Sequence, residues 1–165
     1  MSVVHTLMRI QTIPRPIEEV FAFFAEARNL ETITPPFLHF HVLTPAPIEM
    51  RSGALIDYRL RLRGLPIRWR TRIEEWRPNE RFVDTQLRGP YALWHHTHLF
   101  RQTAAGVEMT DLVRYALPLG PLGAIAHRLF VRRDVENIFD YRAKTIARLF
   151  GAEYPARSAP GAAAA

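Results

Sequence analysis

The sequence predicts an α+β fold in which a strongly curved antiparallel β-sheet wraps round a long C-terminal α-helix. Three observations carry this. Apolar and polar residues alternate through six segments between Phe37 and Leu117, with turn-forming clusters between most of them; a period of two is that of a strand with one buried face. From Leu122 to Phe150 the apolar residues recur at helical spacing instead. Between the first strand and the meander lie two short stretches of helical pattern. The order is therefore strand, two short helices, antiparallel strands, long helix.

Val4 to Ile13 reads as the first strand, ended by Pro14-Arg15-Pro16. Pro16 suits the first turn of a helix. Ile17, Val20, Phe21, Phe24 and Ala27 follow at helical spacing, with Glu18 and Glu19 in the favourable first turn. Residues 29–34 form a second short helix, stopped by Pro35-Pro36. Phe37 to Leu43 reads as the next strand. Leu55 to Arg63 then points Ile56, Tyr58, Leu60 and Leu62 to one face and Asp57, Arg59, Arg61 and Arg63 to the other. After the Gly64-Leu65-Pro66 turn, Ile67, Trp69, Thr71 and Ile73 alternate with Arg68, Arg70, Arg72 and Glu74. Arg81 to Leu87, the Trp94 strand and Val107 to Leu117 complete the meander, each reached through a turn. The helical stretch that follows would span about 45 Å, enough to cross the sheet, with Ile125, Leu129, Ile138, Phe139 and Ile146 facing it.

With 165 residues, the chain suits one domain with a sizeable core. That domain is expected over residues 1–151, with a disordered tail at 152–165 that ends in four alanines. There is no cysteine, which excludes disulfides and thiolate chemistry and fits a cytoplasmic location. The start lacks a secretory pattern, and no apolar run reaches the ~18 residues of a membrane span. The net charge is +6, nearly all from arginine. Arg59, Arg61 and Arg63 with Arg68, Arg70 and Arg72 make a basic outer face, most simply a solvated sheet surface. An anionic membrane, a protein partner or RNA are the alternatives. No aromatic residue interleaves these arginines, so a nucleic-acid partner is not expected.

The segment Arg88 to Phe100 carries the most chemistry. As a strand it places Trp94, His96, His98 and Phe100 on one face. Two imidazoles side by side on an apolar face are unusual for a purely structural core. On the strand before it, Phe82, Asp84 and Gln86 share a face. Counting back from the Gly89-Pro90 turn puts Asp84 opposite His96 and Phe82 opposite His98. An Asp84–His96 pair would hold the imidazole more basic while burial opposes this, leaving a histidine titrating near neutral pH. The pair either performs acid–base work or merely satisfies a buried imidazole. His96 and His98 lie about 6.6 Å apart along the strand, within chelating reach of one metal. No complete metal motif accompanies them, and none is expected. Asp111 shares a face with Met109, Val113 and Tyr115 and needs a partner there, Arg142 for instance.

Several of these residues together resemble one family. Ile33 to Phe37, Gly53 with Tyr58, Trp69, Phe82-Val83-Asp84 with Gln86, and Arg88-Gly89-Pro90-Tyr91 belong to the pattern. So do Trp94-x-His96-x-His98-x-Phe100, Asp111 with Tyr115, and Phe139-x-Tyr141-Arg142. The chain resembles the START-like (SRPBCC, or helix-grip) superfamily of Bet v 1-type proteins over roughly residues 3 to 151, closest to a bacterial polyketide cyclase/dehydrase-like branch. The resemblance implies the helix-grip fold and an internal cavity for a lipid, sterol, quinone or polyketide. It implies no cofactor, no metal and no single chemistry.

The leading expectation is a soluble protein that binds a small hydrophobic molecule. Tyr58, Trp69, Phe82, Trp94, Phe100 and Tyr115 would supply the apolar wall, and Thr71, Asp84, Gln86, His96, His98 and Asp111 the polar groups. The first alternative is a cyclase or dehydratase using His96 as general acid/base, tuned by Asp84. The second is an interaction module working through the arginine face, for which a fully packed interior would speak.

Overall fold

The structure, a computed structural model, describes residues 2–152. The expected disordered tail lies outside the described residues, Ala152 apart. Strand β1 (Val4–Ile13) leads to α1 (Ile17–Ala25) and α2 (Leu30–Ile33), joined by a 3-10 turn. Strands β2 (His41–Val42), β3 (Leu55–Leu62), β4 (Leu65–Arg77), β5 (Arg81–Arg88), β6 (Leu93–Thr103) and β7 (Gly106–Ala116) follow. Helix α3 (Gly120–Ala126), a π-turn (His127–Val131) and α4 (Arg132–Phe150) complete the described chain.

The described strands form one sheet in the order β1-β7-β6-β5-β4-β3-β2, antiparallel throughout. Its curvature follows from two ion pairs. Arg9 on β1 meets Asp140 at 3.1 Å, and Arg63 at the end of β3 meets Asp134 at 2.9 Å. β1 and β3 are five strand spacings apart in the sheet, about 24 Å if it were flat. Their partners lie only about 9 Å apart on α4. The sheet therefore bends round the helix. Gln11 Nε2 adds a buried bond to the Ala143 carbonyl at 3.0 Å, which fastens β1 to the same helix. The main core lies between the sheet, α1 and the end of α4, with Ile13, Val20, Phe24, Val107 and Ile146 among its buried members.

Two expectations are corrected. The strand expected over Phe37–Leu43 shrinks to His41–Val42, because Pro36–Leu38 is a 3-10 turn and His39 takes a left-handed backbone (φ 44°). The long helix is also not one uniform helix. The π-turn lets the inward stripe run every four residues, through Gly123, His127, Val131, Val135 and Phe139. A stripe drawn at 3.6 residues per turn is out of phase before that turn. Phe139 and Ile146 are buried as expected and Ile138 is half-buried, but Leu122, Ile125, Leu129 and Leu149 are exposed.

Candidate functional site

Strand alternation turns Tyr58, Trp69, Thr71, Phe82, Trp94, His96 and His98 to the concave side of the sheet. The arginines of the same strands turn outward: Arg59, Arg61, Arg68 and Arg70 are all exposed. The concave side is not filled. A cavity of about 170 Å³ lies between the sheet and the helices, room for about six waters. Its wall is apolar: Phe40, Leu60, Leu62, Trp69, Tyr91 and Ile138 contribute. Trp69 and Trp94 meet edge to face at 5.3 Å, and Tyr91 packs 4.8 Å from Trp94. The Trp69 indole donates to Thr71 Oγ1 at 3.0 Å.

One end of the cavity is polar and ordered by two carboxylates. Asp111, on β7, accepts from Arg142 at both oxygens (Nε 3.0 Å, Nη2 3.1 Å) and from His96 Nε2 at 2.9 Å. Asp84, on β5, accepts from His98 Nε2 at 2.8 Å and lies 3.5 Å from His96 Nδ1. Each imidazole thus directs an Nε2–H to one carboxylate, which sets its tautomer. His98 Nδ1 lies 3.3 Å from both Arg142 Nη2 and Asp111 Oδ1. Arg142 comes from α4, and its guanidinium also lies over the Phe24 ring at 5.1 Å. The register expected for β5 and β6 is present, with Asp84 opposite His96 and Phe82 opposite His98. The hydrogen bond is not the one expected: Asp84 reaches diagonally to His98, while His96 turns to Asp111.

Burial, reinforced by neighbouring His98, pushes the His96 imidazole below its ordinary value despite both carboxylates. The neutral imidazole is thereby the favoured form at pH 7. Burial alone would raise Asp111, but Arg142 and the two histidines outweigh it and hold the carboxyl well below the usual carboxylate range. Asp84 is lowered in the same way, with burial opposed by His96, the His98 hydrogen bond and Arg142.

No family model and no curated protein matches the sequence. Among solved structures, protein CV1439 from Chromobacterium violaceum superposes with a TM-score of 0.68 at 17% identity, over 88% of this chain and 97% of that one. SA2116 from Staphylococcus aureus, a protein of unknown function, gives 0.68 at 10% identity over 91% and 95%. Ara h 8.0201 gives 0.62 at 16% identity over 90% and 98%. The chain has the Bet v 1-like helix-grip fold. At these identities the likeness is one of architecture.

Within this helix-grip fold the expected site residues divide. Tyr58, Trp69, Thr71, Phe82, Asp84, Trp94, His96 and His98 line the cavity. Gln86, Phe100, Asp111 and Tyr115 do not. Gln86 clasps the β5–β6 turn, accepting from Tyr91 N at 3.2 Å and donating to Tyr91 O at 2.8 Å. Phe100 is packed into the core beside Phe21 and Phe24. Asp111 sits behind His96, and the Tyr115 hydroxyl is engaged with His127 at 2.9 Å. Several lining residues lay outside the expected set, among them Phe40, Tyr91, Ile138 and Arg142, although Arg142 was expected as a partner for Asp111 and that pair is present. Tyr91 follows a turn signal rather than an alternating pattern, and Arg142 lies on the helix, far from the strand motif in sequence.

Asp84, His96 and His98 offer three metal-ligand atoms within 4.8 Å of one another. The His96 and His98 rings lie with centroids 3.8 Å apart and planes tilted by 36°. Nε2 of each ring is engaged with a carboxylate, His96 with Asp111 and His98 with Asp84.

Proposed function

We propose that the chain binds a small, mostly apolar molecule bearing one hydrogen-bond donor, such as a phenol or enol, in this cavity. The observation that carries the reading is Asp84. One of its oxygens takes the His98 bond, while the other has no partner among the described residues. The carboxylate is ionised, partly open (18% exposed side chain) and set at the polar end of a mostly apolar cavity. A ligand donor satisfies that oxygen, and the aromatic wall takes the body. Hydrogen bonds to charged groups contribute about 1.5–3 kcal/mol. Calorimetry with 1-naphthol and 1-methoxynaphthalene tests this. The naphthol should bind about ten-fold or more tighter, and Asp84→Asn should erase that preference. Equal affinities in the wild-type protein would refute the donor reading; no binding of either would refute the cavity reading.

Acid–base catalysis of the cyclase or dehydratase type is a second reading, favoured by one feature. His96 is neutral, with Nε2–H anchored on Asp111, so its Nδ1 lone pair is the free basic atom of the cluster. Under this reading His96→Gln abolishes turnover of a bound substrate while leaving its affinity largely intact. Under the binding reading there is no turnover to lose.

A further inference from the structure

We propose that helix α3 and the π-turn dock the protein onto an anionic lipid bilayer, a role separate from ligand binding in the cavity. Leu122, Ile125 and Leu129 recur at helical spacing and all point outward, with Leu119 before them and Phe130 after; their exposures run from 46 to 75%. The inward positions of the same segment are instead the small or polar Gly123 and His127. The apolar stripe thus faces away from the core, the reverse of an ordinary surface helix.

The charges beside the stripe choose the partner. From Leu117 to Arg133 the chain holds Arg128, Arg132 and Arg133 and no carboxylate. The β3–β4 turn adds to the patch, since Arg63 lies over the Phe130 ring at 4.7 Å and bonds Asp134. The strand ends beside that turn carry exposed Arg61 and Leu65. Among the described residues no carboxylate pairs with Arg61, Arg128 or Arg133. A second copy of this face would set arginine against arginine. A bilayer with anionic headgroups offers the opposite charge at its surface and apolar chains just below, the layering this patch presents. No helix among the described residues is long and apolar enough to cross a membrane, so the contact is interfacial. β3, whose end meets the patch, also lines the cavity with Leu60 and Leu62, which sets the docked face beside the proposed ligand site.

Co-sedimentation with vesicles tests the proposal. The protein should pellet with phosphatidylcholine vesicles containing phosphatidylglycerol and far less with phosphatidylcholine alone. Replacing Leu122, Ile125 and Leu129 together by serine should lower partitioning at least ~10-fold without unfolding the protein, since all three are exposed. Arg128→Gln with Arg133→Gln should lower it about 25-fold, at roughly five-fold per arginine near an anionic surface; circular dichroism confirms that both variants remain folded. Binding that survives the serine variant would overturn the proposal, as would no binding to either vesicle. So would a concentration-dependent dimer, seen by analytical ultracentrifugation and abolished by the serine variant, because a second copy would then be the occupant. Failure of the naphthol experiment leaves this one unaffected.

Discussion

Asp111 is buried, ionised and shared between Arg142 and His96. Its charge is tolerable there only because Arg142 supplies the opposite one from α4. Removing one partner of such a pair leaves an unpaired buried charge, a loss of about 3–5 kcal/mol. Arg142→Ala should therefore lower stability by about that amount in urea denaturation, and adding Asp111→Asn should recover part of it. The histidines make a second expectation, in pH. His5, His96 and His127 are all pushed below the ordinary 6.5, chiefly by burial. Below that value the unfolded chain binds protons that the folded protein resists, so stability falls as pH drops. Asp84 and Asp111, held below the ordinary 3.8, contribute stability that is present above that value and lost as pH falls further. The melting temperature should thus decline steadily from pH 7 to pH 4. His96→Gln should flatten the upper part of that decline, and an unchanged slope there would mean that His96 titrates alike in the folded and unfolded protein.

The C-terminal helical region works as two elements with opposite relations to water. α4 buries Val135, Phe139, Ala143, Ile146 and Phe150 and is tied to β1 through Asp140 and the Ala143 carbonyl. α3 buries only Gly123, which fits closely against the Pro118 carbonyl with no room for a Cβ. Truncations should divide accordingly. Phe139→Ala should cost about 3–5 kcal/mol and Ile146→Ala about 2–5 kcal/mol, whereas Leu122→Ala or Ile125→Ala should change stability by less than about 0.5 kcal/mol. Thermal denaturation of the four variants checks this. A large loss at Ile125 would mean that α3 packs inward after all.

For the whole molecule, the sheet order places β7 and β6 between neighbours on both sides and leaves β2 as a two-residue edge. Local opening is easiest where little apolar surface is buried and hardest in a doubly paired centre. Hydrogen exchange should therefore be slowest at Thr97, Leu99, Leu112 and Arg114, and fastest in α3 and around β2. The same unevenness suits a protein whose rigid, bent sheet holds the polar cluster while its looser segments lie near the cavity. Retarded exchange in α3 on adding phosphatidylglycerol vesicles would be the matching signature of docking.

The sequence by itself determined the order of elements, the strand faces and the β5–β6 register. Each rests on local quantities: alternation, turn residues and the count back from Gly89-Pro90. Trp69, Thr71, Trp94, His96 and His98 face inward and the arginines outward because a period of two admits no other assignment once one face is apolar. Only the tertiary structure decided which carboxylate meets which imidazole. Opposite positions fix backbone neighbours, but side-chain bonds reach diagonally and behind, so Asp84 bonds His98 and Asp111 takes His96. It also decided that Gln86, Phe100 and Tyr115 serve the turn and the core, since a shared face does not say how far along it the cavity extends. The phase of α3 was hidden because a π-turn leaves no mark in hydrophobic periodicity. Arg142 joined the cluster only when the sheet bent round α4 and brought the helix over β6 and β7.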